Sequence, residues 1–492
     1  MAMGKQEDAE LVIIPFPFSG HILATIELAK RLISQDNPRI HTITILYWGL
    51  PFIPQADTIA FLRSLVKNEP RIRLVTLPEV QDPPPMELFV EFAESYILEY
   101  VKKMVPIIRE ALSTLLSSRD ESGSVRVAGL VLDFFCVPMI DVGNEFNLPS
   151  YIFLTCSAGF LGMMKYLPER HREIKSEFNR SFNEELNLIP GYVNSVPTKV
   201  LPSGLFMKET YEPWVELAER FPEAKGILVN SYTALEPNGF KYFDRCPDNY
   251  PTIYPIGPIL NLENKKDDAK TDEIMRWLNE QPESSVVFLC FGSMGSFNEK
   301  QVKEIAVAIE RSGHRFLWSL RRPTPKEKIE FPKEYENLEE VLPEGFLKRT
   351  SSIGKVIGWA PQMAVLSHPS VGGFVSHCGW NSTLESMWCG VPMAAWPLYA
   401  EQTLNAFLLV VELGLAAEIR MDYRTDTKAG YDGGMEVTVE EIEDGIRKLM
   451  SDGEIRNKVK DVKEKSRAAV VEGGSSYASI GKFIEHVSNV TI

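Results

Sequence analysis

Between Trp359 and Gln402 one contiguous stretch carries an aromatic plate, a histidine at a strand-to-helix junction, a carboxylate one helical turn further on, and an acid–amide pair. These are the groups needed to hold a nucleotide that bears a sugar. Val371 to Ser376 reads as a strand, and the chain then passes through His377, Cys378 and Gly379 into a helix beginning near Asn381. A strand that turns through glycine into a helix presents backbone N–H groups and the positive end of the helix dipole to one spot, which suits a phosphate. Asn381 and Ser382 fall in the first turn, where short polar side chains add hydrogen bonds to the same anion. Glu385 lies one turn from Asn381 on the same face, placed to accept from two ribose hydroxyls.

A second group of residues with chemistry lies near the N-terminus. Leu11 to Phe16 reads as a buried strand, Pro15 to His21 (PFPFSGH) as a turn, and Ile22 onward as a helix with apolar positions at Ile22, Ile26, Ala29 and Ile33. His21 then sits at the carboxyl end of a strand, where open α/β sheets bind ligands. An imidazole, with an unperturbed pKa near 6.5, is suited to taking a hydroxyl proton near neutral pH. A carboxylate best fixes its tautomer and stabilises the imidazolium. Asp133, which ends the apolar strand Val127 to Leu132, projects from the same sheet edge and is the candidate partner.

The block WAPQ, HCGWNS-x-LE and a closing acid followed by Gln, together with Pro-x-Pro-x-x-Gly-His at Pro15 to His21, resembles the plant family-1 UDP-sugar-dependent glycosyltransferases. The resemblance implies a GT-B fold: an α/β protein of two Rossmann-like domains facing a central cleft, with a C-terminal helix returning to the first. It implies His21 as general base and Asp133 as its partner. Trp359 would stack on uracil, with Ala360 and Gln362 beside the uridine. His377, Asn381 and Ser382 would bind the pyrophosphate, Glu385 the ribose, and Trp380, Glu401 and Gln402 the sugar, with Ser293 of Gly292-Ser-Met-Gly295 as a further donor contact. Many relatives carry Asp where this chain has Glu401. Gln402 in place of His favours glucose, and Thr155 is placed near the glucose 6-hydroxyl.

The reaction implied is a single inverting displacement. A hydroxyl of the acceptor, deprotonated by His21, attacks the anomeric carbon as UDP leaves, so an α-linked donor gives a β-glycoside; the logic parallels that of inverting glycosidases. No Asp-x-Asp pair of the kind that holds Mg²⁺ on a nucleotide occurs. UDP-glucose as co-substrate without a metal or other cofactor is therefore expected.

Acceptor identity is less legible. Phe89, Phe92, Tyr96, Phe160, Met163, Phe206 and Met207 lie in first-half segments expected to line the acceptor pocket, with Thr155 close by. They suit flavonoids and other phenolics, and Val229 to Pro237 (VNSYTALEP) resembles members acting on phenylpropanoids and flavonols. A terpenoid or steroid glucosyltransferase is the alternative. A sugar-nucleotide-binding protein without turnover is the alternative of another class, against which the His21 and Asp133 pair argues.

These groups must be positioned by a large scaffold. With 492 residues the chain exceeds one compact core. The reading is an acceptor domain over 1–253, a linker over 254–260 (YPIGPIL), a donor domain over 261–474, and a closing helix over 475–492. Met86 to Leu116 reads as one long helix, and Lys175 to Leu205 as a functional loop over the acceptor. Arg321 to Glu340 and Met421 to Glu436 read as solvated charged loops, and Thr438 with Glu441 as a capping box. A net charge of −15 with 44% hydrophobic residues argues against nucleic-acid or anionic-membrane partners. Six cysteines without C-x-x-C pairing suit a reduced compartment. A cytoplasmic monomer without targeting segment or membrane span is expected.

Overall fold

The computed structural model describes residues 8–34, 39–120, 125–179, 185–246, 250–262, 269–324, 332–425 and 436–489. Strands β1 (Asp8–Ile14), β2 (Ile40–Tyr47), β3 (Ile72–Thr76), β4 (Val125–Asp133) and β5 (Ser150–Leu154) come first. A short antiparallel pair follows, β6 (Leu186–Asn187) and β7 (Val196–Pro197), then β8 (Gly226–Val229) and β9 (Thr252–Pro255). The second half contributes β10 (Val286–Cys290), β11 (Arg315–Ser319), β12 (Gly354–Ile357), β13 (Val371–Ser376), β14 (Met393–Ala395) and β15 (Ala416–Glu418).

Two compact units result: 1–177 with 208–261 and 468–492, and 178–207 with 262–467. The first is built on a parallel seven-stranded sheet in the order β3-β2-β1-β4-β5-β8-β9. The second has a parallel six-stranded sheet in the order β12-β11-β10-β13-β14-β15. Strands buried on both faces demand continuous apolar runs, and Val286–Cys290 and Val371–Ser376 are buried at every position. In each sheet the strand order reverses once, between β1 and β4 and between β10 and β13. Such a switch point opens a crevice at the carboxyl ends of the strands.

The first unit's core joins Leu11, Ile13, Ile26 and Ile45 to Ile480, Phe483, Ile484 and Val487 of the helix Ser475–Asn489. That helix packs on β9 through Tyr254, whose ring lies 5.5 Å from Phe483 and whose hydroxyl meets His486 Nδ1 at 2.6 Å.

Several boundaries differ from the sequence reading. Residues 178–207 group with the second unit instead of the first. The Arg424 guanidinium donates to Lys199 O and to Leu201 O and lies over the Phe206 ring. Glu412 accepts from the N–H groups of Val193 (3.0 Å) and Asn194 (2.7 Å). Residues 468–474, read with the donor domain, group with the first unit. Met86 to Leu116 is two helices, Met86–Glu91 and Ala93–Asp120, because Phe92 adopts an extended φ of −143°. The capping box at Thr438 and Glu441 is present. The central parts of the two charged stretches, 325–331 and 426–435, lie outside the described residues, as do 180–184 of the 175–205 loop. Among the described residues no helix is long and apolar enough to cross a membrane.

Candidate active site

At the switch point of the first sheet, β1 leads into the helix Ser19–Ser34, which begins three positions earlier than the sequence suggested and so places His21 in its first turn. β4 ends at Asp133, the N-cap of a 3₁₀ turn, where Oδ1 accepts from the Phe135 N–H at 3.0 Å. Its other oxygen, Oδ2, lies 2.8 Å from His21 Nδ1. A carboxylate beside Nδ1 takes that nitrogen's proton as a hydrogen bond and leaves the basic lone pair on Nε2. The Asp133 side chain is wholly buried while His21 retains 19% exposure, so the pair is rigid on one side and reachable on the other. Thr155 Oγ1 stands 3.2 Å from the same Nδ1.

An aromatic shell encloses the imidazole. Phe16, Phe134 and Phe135 each have ring centroids 5.7 Å from it. Behind them Trp214 meets Phe135 at 5.7 Å and Phe160 at 5.8 Å, and on the other side Trp48 meets Phe16 at 5.6 Å. The Trp48 and Trp214 indole nitrogens and the Tyr96 hydroxyl are buried without a hydrogen-bond partner among the described residues. Buried donors of this kind are usually satisfied, so they mark places where a polar group of a ligand or a water fits.

At the second switch point β10 runs into Phe291-Gly292-Ser293 and β13 into His377. A Cβ on Gly292, whose φ is +75°, would lie 2.6 Å from His377 Nε2, and one on Gly379 would lie 2.5 Å from it. The two glycines thus make room for the ring. His377 is buried, its Nδ1 has no partner among the described residues, and burial pulls its pKa down to about 4. It is a neutral imidazole at physiological pH, able to donate one N–H.

The helix Trp380–Cys389 starts at once, with Gly379 as an N-cap that offers no side-chain acceptor to the first turn. Cys378 holds the turn in a left-handed conformation (φ +62°), and Asn405 Nδ2 donates to its carbonyl at 3.0 Å. One amide joins the next groups: Gln362 Nε2 donates to Ser382 Oγ at 2.9 Å and to Glu385 Oε2 at 2.8 Å. Ser382, accepting from Gln362, keeps its own O–H to donate. Glu385 retains some accessible surface yet is so enclosed that burial, opposed by Gln362, pushes its pKa up to about 7. Trp359 is 38% exposed, as a stacking plate requires, and its backbone N–H donates to Glu334 at 3.2 Å.

The residues the sequence assigned to the donor therefore lie in the second unit and the His21–Asp133 pair in the first. Ser293 is exposed on its turn, Ala360 buried beside Trp359, and Trp380 buried in the first helical turn. Glu401 caps the helix Gln402–Phe407. The amide oxygen of Gln402 is occupied by the N–H groups of Leu398 (2.9 Å) and Tyr399 (3.1 Å), which leaves its NH₂ as the donor, on the side of the Tyr399 hydroxyl.

The acceptor set is dispersed. Phe160 is buried in the aromatic shell, Tyr96 is buried against Phe89 and Tyr100, Phe92 is half-buried at a helix break, and Phe206 belongs to the second unit under Arg424. Thr155 contacts His21 itself. Sequence reasoning missed Phe134, Phe135, Trp214 and Trp48, although the Phe-Phe directly after Asp133 was a visible signal. It also missed Asn405, and Glu334, which lies in a stretch read as a solvated loop.

Comparison with known proteins agrees with this fold. A model of the family described as UDP-glucoronosyl and UDP-glucosyl transferase matches residues 208–444. A flavonol 3-O-glucosyltransferase of Arabidopsis thaliana is 75% identical over 485 residues, 98% of this chain and 98% of its own length. A UDP-glycosyltransferase of Stevia rebaudiana is 68% identical over 486 residues, covering 98% of this chain and 99% of the relative. The crystal structure of Medicago truncatula UGT71G1 complexed with UDP-glucose matches with a TM-score of 0.86 at 44% identity, over 98% of this chain and 99% of that one. A transferase from Siraitia grosvenorii in complex with UDP matches with a TM-score of 0.85, also at 44% identity, over 98% and 100% of the two chains. The two parallel-sheet units are those of the GT-B fold, and the chain belongs to the UDP-glucoronosyl and UDP-glucosyl transferase family.

Proposed function

We propose that this protein transfers glucose from UDP-glucose to a hydroxyl of a flavonol or related phenolic, with inversion, to give a β-glucoside. The observation that carries the reading is the His21–Asp133 pair at 2.8 Å, set inside an aromatic shell at the switch point of the first sheet. His21 Nε2 takes the proton of the acceptor hydroxyl. The resulting oxygen attacks the anomeric carbon, the bond from that carbon to the diphosphate breaks, and UDP leaves with the electron pair. Asp133 stabilises the imidazolium that forms.

Charge on the departing diphosphate is taken up by the first turn of Trp380–Cys389 and by the neutral His377 N–H and the Ser382 hydroxyl. Trp359 stacks on uracil, Glu385 accepts from ribose, and the Gln402 NH₂ with Glu401 holds glucose. This machinery needs no metal, so activity should persist in EDTA. A flat phenolic suits the ring-lined surroundings of His21, and the 75% identity to a flavonol 3-O-glucosyltransferase supports the same class. One chain carries the base and the donor groups, which suits a monomer, and six free cysteines suit the cytoplasm.

Incubation with UDP-glucose and separate panels of flavonols, simple phenolics and terpenoids, read by mass spectrometry, tests this. Flavonol glucosides should dominate. Terpenoid glucosides alone would overturn the acceptor class, and UDP release without any glycoside would overturn the transfer.

A further inference from the structure

The turn that brings Thr155 against His21 is held from behind by a buried carboxylate. β5 ends at Leu154, and the helix Ala158–Ile174 begins with Ser157 as N-cap, its hydroxyl accepting from the Phe160 N–H at 3.0 Å. Glu236, 3% exposed and 77 residues away along the chain from Gly159, supplies the rest. Its Oε2 accepts from the Ala158 N–H at 3.0 Å and its Oε1 from the Gly159 N–H at 2.9 Å. The Ser231 hydroxyl also donates to Oε2. Three N–H groups that open this helix are thus all taken by side chains, two of them by one carboxylate. A buried carboxylate without such donors would cost several kcal/mol, of the order expected for desolvating an ion; here the helix terminus and Ser231 offset part of that cost, and burial still holds the Glu236 pKa above the ordinary carboxylate value.

The support is continuous on both sides. The Asn230 N–H donates to Leu154 O at 2.9 Å, which pins the loop after β8 to the end of β5. A Cβ on Gly239 would lie only 3.0 Å from that of Ala158, so the helix Pro237–Asp244 sits directly on the start of Ala158–Ile174. On the far side of the turn, Thr155 Oγ1 stands 3.2 Å from His21 Nδ1, and the Phe160 ring lies 5.6 Å from Phe134, which itself abuts His21.

We propose that Glu236 is a positioning residue for the base: by clamping the 155–160 turn it sets the Thr155 hydroxyl and the Phe160–Phe134 rings against the His21 imidazole. The proposal rests on His21 being the general base. A glutamine has the same size but turns an NH₂ toward one of the two helix N–H groups, so Glu236→Gln releases the clamp without emptying the site.

The test measures kcat, both KM values and the ¹⁵N imidazole resonances of His21 in wild type, E236Q, H21A and the H21A/E236Q double variant. Loss of the signal in H21A identifies His21 among the seven histidines. E236Q should lower kcat roughly ten- to hundredfold, the scale of a small misplacement at a reacting centre. It should leave the KM for UDP-glucose within about twofold, shift the His21 resonances, and add no further loss in the H21A background. Unchanged kcat in E236Q, or an equal loss in both backgrounds with His21 resonances unmoved, would make Glu236 a scaffold residue only and overturn the proposal. Near-wild-type kcat in H21A alone would instead bring down the reading of His21 as base. If E236Q does not fold, Ser231→Ala removes one donor from the same carboxylate. It should lower kcat and shift the His21 resonances in the same sense, and no change in either would overturn the proposal.

Discussion

The two switch points are built alike and finished differently. Beside β1 and β4, polar groups close on one another: His21 on Asp133, Asp133 on the Phe135 N–H, Thr155 on His21. Beside β10 and β13, His377 Nδ1 is buried without a partner among the described residues, and the enclosed Glu385 holds its proton up to about pH 7. At the first site the His21–Asp133 cluster is satisfied within the protein, and only the indole nitrogens of the surrounding shell lack partners among the described residues. The second keeps a buried group open, and in the proposed reading the diphosphate of the donor supplies the partner that His377 lacks while its ribose meets Glu385. On the proposed roles, the base is preorganised and the donor cradle is paid for on binding.

The largest effect should come from breaking the finished site. His21→Ala should lower kcat by about 10²–10⁴-fold, the usual range for a positioned base, while calorimetry finds UDP affinity unchanged. Asp133→Asn should lose less, because the imidazole remains. A large loss of UDP affinity in His21→Ala would erase the distinction between the sites.

Removing the exposed plate breaks the other side. Trp359→Ala should weaken UDP binding by about 1–3 kcal/mol, the worth of one base–aromatic stack, with kcat at saturating donor nearly intact. Gly379→Ala probes the room made for His377. A methyl 2.5 Å from Nε2 must displace the ring, and UDP affinity should fall roughly tenfold, the scale of one charge-assisted hydrogen bond.

The smallest effect sharpens the comparison through pH. Burial raises the Glu385 pKa from the ordinary 4.5 to about 7, so the folded protein binds this proton more tightly than the unfolded chain. The stability linked to it is full below about 4.5 and declines as pH rises through about 7. Ribose binding has the opposite sense, because the ionised carboxylate accepts from both hydroxyls. UDP-glucose affinity should therefore rise several-fold, and less than about tenfold, between about pH 6 and pH 8, and Glu385→Gln should flatten that slope. A profile unaltered by the substitution would separate Glu385 from ribose.

The same contrast explains what could be read in the sequence. The donor cradle is local: plate, histidine, helix start and carboxylate follow one another from Trp359 to Glu385, so spacing alone reveals them. His21 and Asp133 are 112 residues apart, yet each ends a recognisable apolar strand, and the strand-end rule brings them together. Of the aromatic shell only Phe160 was legible, because Trp48, Phe134 and Trp214 come from three separate segments and look like ordinary core. Residues 178–207 were misplaced for a similar reason. Arg424 and Glu412 hold them from more than 200 positions downstream, and no local pattern announces such ties.

The helix Ser475–Asn489 carries a consequence for biosynthesis. Its apolar face completes a core whose sheet is otherwise made from residues before 256. During translation the middle of the chain, 262–467, leaves the ribosome before this helix does. The first unit must wait, its sheet flank uncovered, while the second already has every strand of its own. Order of emergence is therefore inverted relative to order of completion, and a stalled or truncated nascent chain exposes the half that holds His21 and Asp133.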